Sequence, residues 1–153
     1  MNCRLRLSRS PWAVVVVLLI SAGLAVRAQR PAVADPDRWE ATIKKFEEQD
    51  RRNPPPKGEI VFTGASSIVR WNLPEYFPDL KVINRGFGGS EMGDAARYAS
   101  RIVVPYAPRI VVLYSGDNDI GRGVTPVKVE ADFERFVQVV HGRMPQRASW
   151  CSA

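Results

Sequence analysis

Three short runs of β-branched and aromatic residues, each ending in a polar, glycine-bearing segment, limit what this chain can fold into. Glu59-Ile60-Val61-Phe62-Thr63 runs into Gly64-Ala65-Ser66-Ser67. Leu80-Lys81-Val82-Ile83 runs into Asn84-Arg85-Gly86-Phe87-Gly88-Gly89-Ser90. Arg109-Ile110-Val111-Val112-Leu113-Tyr114 runs into Ser115-Gly116-Asp117-Asn118-Asp119. The runs have the length and composition of buried strands. Between the second and third, residues 91–104 read as a helix stopped near Pro105 and Pro108. After the third, residues 126–142 read as another, with Phe133, Phe136, Val137 and Val140 on one face. Short β-rich runs alternating with helices predict an α/β domain with a mostly parallel sheet. In such sheets ligands bind beyond the carboxyl ends of the strands, and all three polar segments fall at such ends.

Ahead of the first run, residues 29–57 divide in two. Residues 29–37 are rich in Pro, Ala and Asp and read as a loose leader. Asp37 is placed to cap a helix running to about Arg52, with Trp39, Ile43 and Phe46 on one face and Lys44, Glu47, Glu48 and Asp50 on the other. This predicts an amphipathic helix packed on the domain. Asn53-Pro54-Pro55-Pro56 ends it and serves as a stiff spacer. The domain proper is expected to span residues 58–153.

Residues 1–28 have the layout of a secretory signal peptide. Arg4, Arg6 and Arg9 make a basic start, an apolar run extends from Trp12 to Ile20, and small residues stand at Ala28 and Val26. Cleavage after Ala28 and export are expected, the alternative being an uncleaved anchor. The strongly apolar run is short beside the ~20 residues that span a bilayer. Removing residues 1–28 takes away four arginines and no acids, so the formal net charge of +6 falls to +2. The basic balance is largely a property of the leader and gives no reason to expect a nucleic-acid partner. Cys3 precedes the apolar run and would leave with it, so Cys151 has no partner for an internal disulfide. No Cys or His spacing predicts a zinc site.

Each polar segment has a plain reading and a chemical one. Ser66, on the turn between a strand and a helix, is either a helix cap or a nucleophile close to backbone N–H groups. The glycines from Gly86 to Gly89 make either a simple strand-to-helix turn or a place where backbone N–H groups approach a ligand. They lack the Lys-Ser/Thr ending of a phosphate loop and the dinucleotide spacing. The Asn118 side-chain amide could donate to an oxyanion. Asp119 is expected to bond nearby backbone and hold the loop, and Asp117 with Asp119 as a catalytic acid pair is disfavoured because neighbouring side chains splay apart.

Taken together and in order, these segments resemble the first three sequence blocks of the SGNH hydrolases, also called the GDSL esterase/lipase family. Ile60 to Trp71 resembles the first block, whose nucleophile stands two residues after the Gly, at Ser66, with Ser67 beside it. Ala65 occupies the position of the family's name-giving Asp. Asn84 to Gly89 resembles the second block, whose oxyanion Gly falls at Gly89. Gly116-Asp117-Asn118-Asp119 resembles the third, whose oxyanion Asn falls at Asn118. The resemblance covers about residues 38–145 and implies a three-layer α/β/α, flavodoxin-like fold. It also implies hydrolysis of a carboxylic ester through an acyl-enzyme on Ser66, the oxyanion held by Gly89 N–H, the Asn118 amide and Ser66 N–H, and no cofactor. The implied substrate is a small-molecule, carbohydrate or lipid ester, and the implied setting is outside the cytoplasm.

The family's last block, Asp-x-x-His, supplies the general base and the carboxylate that orients it. This pattern does not occur in the sequence, and residues 146–153 do not read as a further apolar strand. The fold is therefore expected to be incomplete at its C-terminal side, as a truncated or frameshifted reading frame would make it. His141 is the only histidine. The helix that carries it starts beside the third segment and runs away from it, so some fifteen residues at ~1.5 Å each would put His141 roughly 22 Å off. Two other readings stand beside an impaired esterase: a non-catalytic family remnant that binds a ligand, and a nucleotide-binding module.

Overall fold

In a computed structural model of the chain, the described residues are 35, 37–143 and 149–150. The expected signal peptide, the leader through residue 34, and Cys151 lie outside them. Helix α1 (Glu40–Arg52) precedes strand β1 (Ile60–Gly64). Two short helices follow, α2 (Ser66–Arg70) and α3 (Leu73–Tyr76). Strand β2 (Val82–Gly86) leads to helix α4 (Met92–Ile102) and a 3₁₀ turn, Val104–Tyr106. Strand β3 (Ile110–Tyr114) leads to α5 (Asp117–Gly121), the long helix α6 (Pro126–His141) and a two-residue strand β4 (Ser149–Trp150).

The sheet is parallel throughout, in the order β2-β1-β3-β4. Ile60 lies opposite both Val82 and Ile110, and Gly64 lies opposite both Gly86 and Tyr114. The three main strands therefore finish level with one another, and the segments that follow them leave from one line. Alternate side chains point to opposite faces. Val61, Ile83 and Val111 join a large core with Ile43 of α1, Met92 to Ile102 of α4, and Phe136 and Val140 of α6. Ile60 and Phe62 face the other way, against Ile68 of α2 and Leu73 of α3.

Charge fixes α1 in place. Arg101 of α4 bonds both Glu40 and Glu47, at 2.7 Å each, and holds both carboxyls below the ordinary value. Arg85 of β2 is buried. It pairs with Asp50 of α1, donates to the Tyr106 hydroxyl at 2.7 Å, and stacks over Phe46 and Tyr106. Burial pushes the Tyr106 hydroxyl up to about 12.

Several expectations are corrected. Strand β2 runs to Gly86 and not to Ile83, because Arg85 is buried by pairing, which an apolar pattern cannot anticipate. Asp37 does not cap α1. The helix starts after Trp39 with no side-chain cap, and the Asp37 carboxylate accepts from Arg97 instead. On α6, Phe136 and Val140 are buried as expected, but Phe133 is 39% exposed and Asp132 is 5% exposed. Asp132 turns inward toward Gly93, paired with Lys128 and Arg135, and this rotates the buried stripe of the helix. Residues 149–150 pair with Ile110 and Val111, although two residues are too few to show a strand pattern.

Candidate active site

The turn after β1 depends on a glycine. Gly64 has φ +124°, and a Cβ there would lie 2.0 Å from the Tyr114 carbonyl oxygen. That approach lets Ala65 N–H donate to the same carbonyl at 2.9 Å, carrying the chain across the end of β3 before α2 begins at Ser66. Ala65, at the position of the family's Asp, is fully buried. Ser66 and Ser67 are half-buried. As the first residue of α2, Ser66 has an N–H without a partner inside its own helix.

Helix α2 sits directly on the end of β2. A Cβ on Gly86 would come within 2.8 Å of Ile68 and the Val69 backbone. Asn84 fastens the contact, donating from Nδ2 to the Ile68 carbonyl at 2.8 Å and accepting from Gly86 N–H at 2.9 Å. The segment after β2 then passes beside the serine. A Cβ on Gly88 would be 3.9 Å from that of Ser66. Gly89 has φ +80° and faces the Trp39 ring, 3.7 Å from where its Cβ would be.

The segment after β3 meets the one after β2, across the end of β1. Asn118 Nδ2 donates to the Ser90 carbonyl at 2.9 Å, and Asp119 accepts from Met92 N–H at 2.9 Å. One N–H of the Asn118 amide is thus engaged, and the second is left to donate elsewhere. Asp119 is buried, and burial raises its carboxyl above the ordinary value. It does hold its loop, as expected, but through backbone 27 residues away in sequence. Asp117 is exposed while Asp119 is buried, so the two carboxylates do not form a pair.

Around this mouth stand side chains to which the sequence reading gave no part in the site. Trp39 Nε1 and Arg38 Nη2 both donate to Asp94, at 3.0 and 2.5 Å. Glu91 and Asp94 form a reciprocal cap at the start of α4, a motif the spacing Glu91-x-x-Asp94 could have revealed. Arg122 pairs with Glu91 and lies 3.4 Å from the Gly89 carbonyl oxygen. Arg70 Nη2 lies 3.4 Å from Ser66 Oγ. His141 is the last residue of α6, the helix that starts at Pro126 just beyond α5. Among the described residues no group of three or more His, Cys, Asp and Glu side chains is gathered as a metal ion would require.

No protein-family model matches the sequence, and no curated protein matches it. Solved structures do match in fold. A protein from Streptococcus pneumonia, assigned as a platelet activating factor, superimposes with a TM-score of 0.64 at 20% identity, over 90% of this chain and 58% of its own. An assigned acylhydrolase from Bacteroides fragilis gives 0.59 at 20% identity, over 72% of this chain and 55% of its own. A GDSL-like lipase from Bacteroides thetaiotaomicron gives 0.58 at 18% identity, over 72% and 56%. The chain thus spans less than two thirds of the length of these structures. The parallel sheet ordered β2-β1-β3-β4, with helices on both faces and the three polar segments leaving its carboxyl edge, thus has the fold of these structures, a GDSL-like lipase among them.

Proposed function

We propose that the carboxyl edge of the sheet is the site of a serine ester hydrolase and that this chain, as it stands, is a slow one. Ser66 Oγ attacks the ester carbonyl. The tetrahedral oxyanion is held by Gly89 N–H, Ser66 N–H and the free N–H of the Asn118 amide. The alkoxy group leaves, and water releases the acid from the acyl-enzyme. The observation that carries this reading is the meeting of the second and third segments over the end of β1, beside Ser66, through the Asn118–Ser90 and Asp119–Met92 bonds. Fixed donors aimed at developing charge are what acyl transfer needs.

The slowness follows from the proton on Ser66. Among the described residues the side chain that reaches Ser66 Oγ is Arg70, and a guanidinium cannot accept a proton. A positioned general base contributes typically ~10²–10⁴-fold. Loss of that factor leaves the smaller acceleration due to the oxyanion hole and binding. The same observation favours a second reading, in which the domain binds an acyl compound without turning it over. The substrate is a small-molecule, carbohydrate or lipid ester, met outside the cytoplasm after removal of residues 1–28. An N-terminus near Gln29 in protein purified from its host is the expected sign of export, and an intact Met1 in the membrane fraction would contradict it.

The test is hydrolysis of a short-chain p-nitrophenyl ester beside Ser66→Ala. The expected result is a low rate that falls further in the variant, toward the residue left by the oxyanion hole and binding alone. Robust turnover lost in Ser66→Ala would reveal a base in reach, with His141→Ala the next variant. A rate equal in both proteins would favour the binding reading.

A further inference from the structure

Arg70 lies one helical turn beyond Ser66 on α2, and side chains four apart share a helix face and lean toward its N-terminus. This brings the Arg70 guanidinium to 3.4 Å from Ser66 Oγ. At that length the contact itself holds little. The charge is the informative part. Three guanidiniums stand near the mouth, and they differ. Arg38 is paired with Asp94 at 2.5 Å and Glu91 at 3.4 Å, and Arg122 is paired with Glu91. Among the described residues Arg70 has no carboxylate at ion-pair distance, and it is exposed. The two acids of the α4 cap are already engaged, and Asp117, the exposed acid of the third segment, forms no ion pair among the described residues. Beside Ser66, then, there is a cation with no counter-ion among the described residues and five N–H donors in a fork that fits a carboxylate.

We propose that Arg70 is a specificity-determining residue, selecting esters that carry a carboxylate within reach of the scissile bond. The proposal rests on Ser66 being the nucleophile. An exposed charge pair supplies a preference of up to about fivefold at low ionic strength, weakened by salt.

Because turnover is slow, binding is the better readout. Arylboronic acids can take up a serine oxygen, its proton passing to solvent, to give a tetrahedral adduct, so phenylboronic acid can be compared with its meta- and para-carboxy derivatives by calorimetry and boron NMR. The expected result on the full chain is tighter binding of at least one carboxy derivative, by up to about fivefold at low salt. High salt should shrink the ratio, Arg70→Gln should abolish it, and Arg70→Lys should keep part of it. A ratio of one in the unmodified protein, or a ratio that survives in Arg70→Gln, overturns the proposal. Ser66→Ala separates the two readings. Loss of the tetrahedral signal for every probe supports the nucleophile whatever the ratio. Equal binding with and without the Ser66 hydroxyl, or no binding by the unmodified protein, removes the nucleophile and the role of Arg70 with it.

Discussion

The two faces of the sheet are built to different depths. The α1–α4–α6 side gathers fifteen buried residues into one core and is fastened by the Arg101 and Arg85 pairs. The core cluster on the α2–α3 side has, among the described residues, four buried members, Ile60, Phe62, Ile68 and Leu73. Its outer surface leaves Val69 47%, Trp71 38% and Tyr76 64% exposed. The site draws on both. Ser66 belongs to α2, on the thin side, while the second and third segments are tied to the start of α4, on the deep side, through Asp119 and the Glu91–Asp94 cap. The lesson is that the proposed nucleophile and the proposed oxyanion hole are held by separate parts of the core and should fail separately.

The largest effect should come where both sides depend on one residue. Gly64→Ala puts a Cβ into the Tyr114 carbonyl at a backbone conformation that alanine resists. A loss of about 4 kcal/mol or more in urea unfolding, or failure to accumulate folded protein, is expected. A stable Gly64→Ala protein would mean that β1 and β3 are not set as closely as described.

Next come single deletions in each core. Phe136→Ala, on the deep side, should cost about 3–5 kcal/mol. Leu73→Ala should cost about 2–3 kcal/mol, the lower end for such a change, because the open cluster can relax. Boronate binding at Ser66 should suffer more from Leu73→Ala, relative to stability lost, than from Phe136→Ala. The reverse order would dissolve the distinction between the faces.

A smaller effect is expected between the loops. Asp119→Ala leaves the buried Met92 N–H without an acceptor, which costs about 1–3 kcal/mol, and should weaken boronate binding through the third segment.

The smallest effects are in pH dependence, and the carboxyls that hold α1 and the one that ties the third segment should have opposite signs. Glu40 and Glu47 titrate below their ordinary value of 4.5, chiefly through hydrogen bonds from Arg101. Their contribution is present above pH 4.5 and is lost as pH falls through the lowered folded-state values. Arg101→Gln should flatten that acid limb in thermal melts. Asp119 is raised above 3.8, chiefly by burial. Its contribution is present below 3.8 and is lost as pH rises through the raised folded-state value. Asp119→Asn should lack that decline, since Asn does not ionise and can still accept from Met92 N–H. An acid limb unchanged in Arg101→Gln would show that α1 is not held by that pairing.

The strands and long helices were legible because apolar runs and 3.6-residue spacing are local signals. The position of the polar segments at the strand ends was legible for the same reason, with Ser66, Gly89 and Asn118 singled out by resemblance to family blocks. What escaped was whatever depends on partners distant in sequence. Arg85 counted as a polar stop until Asp50, Tyr106 and Phe46 surrounded it. Asp132 escaped because the group it turns toward, Gly93, lies on another helix, while Lys128 and Arg135 pair with it on its own. Trp39 was read correctly as facing the core, but no spacing rule places its ring against Gly89. Arg70 was the exception. Its distance of four from Ser66 is a local signal, and it was available without the fold.

The central claim is that Ser66, Gly89 and Asn118 border one oxyanion position. The most direct test is a crystal structure of the protein with phenylboronic acid. The account predicts a covalent bond from boron to Ser66 Oγ, with one boronate oxygen within ~3 Å of both Gly89 N and Asn118 Nδ2. Boron attached to Ser67, or a Ser66 adduct whose oxygens point away from Gly89 and Asn118, would contradict it.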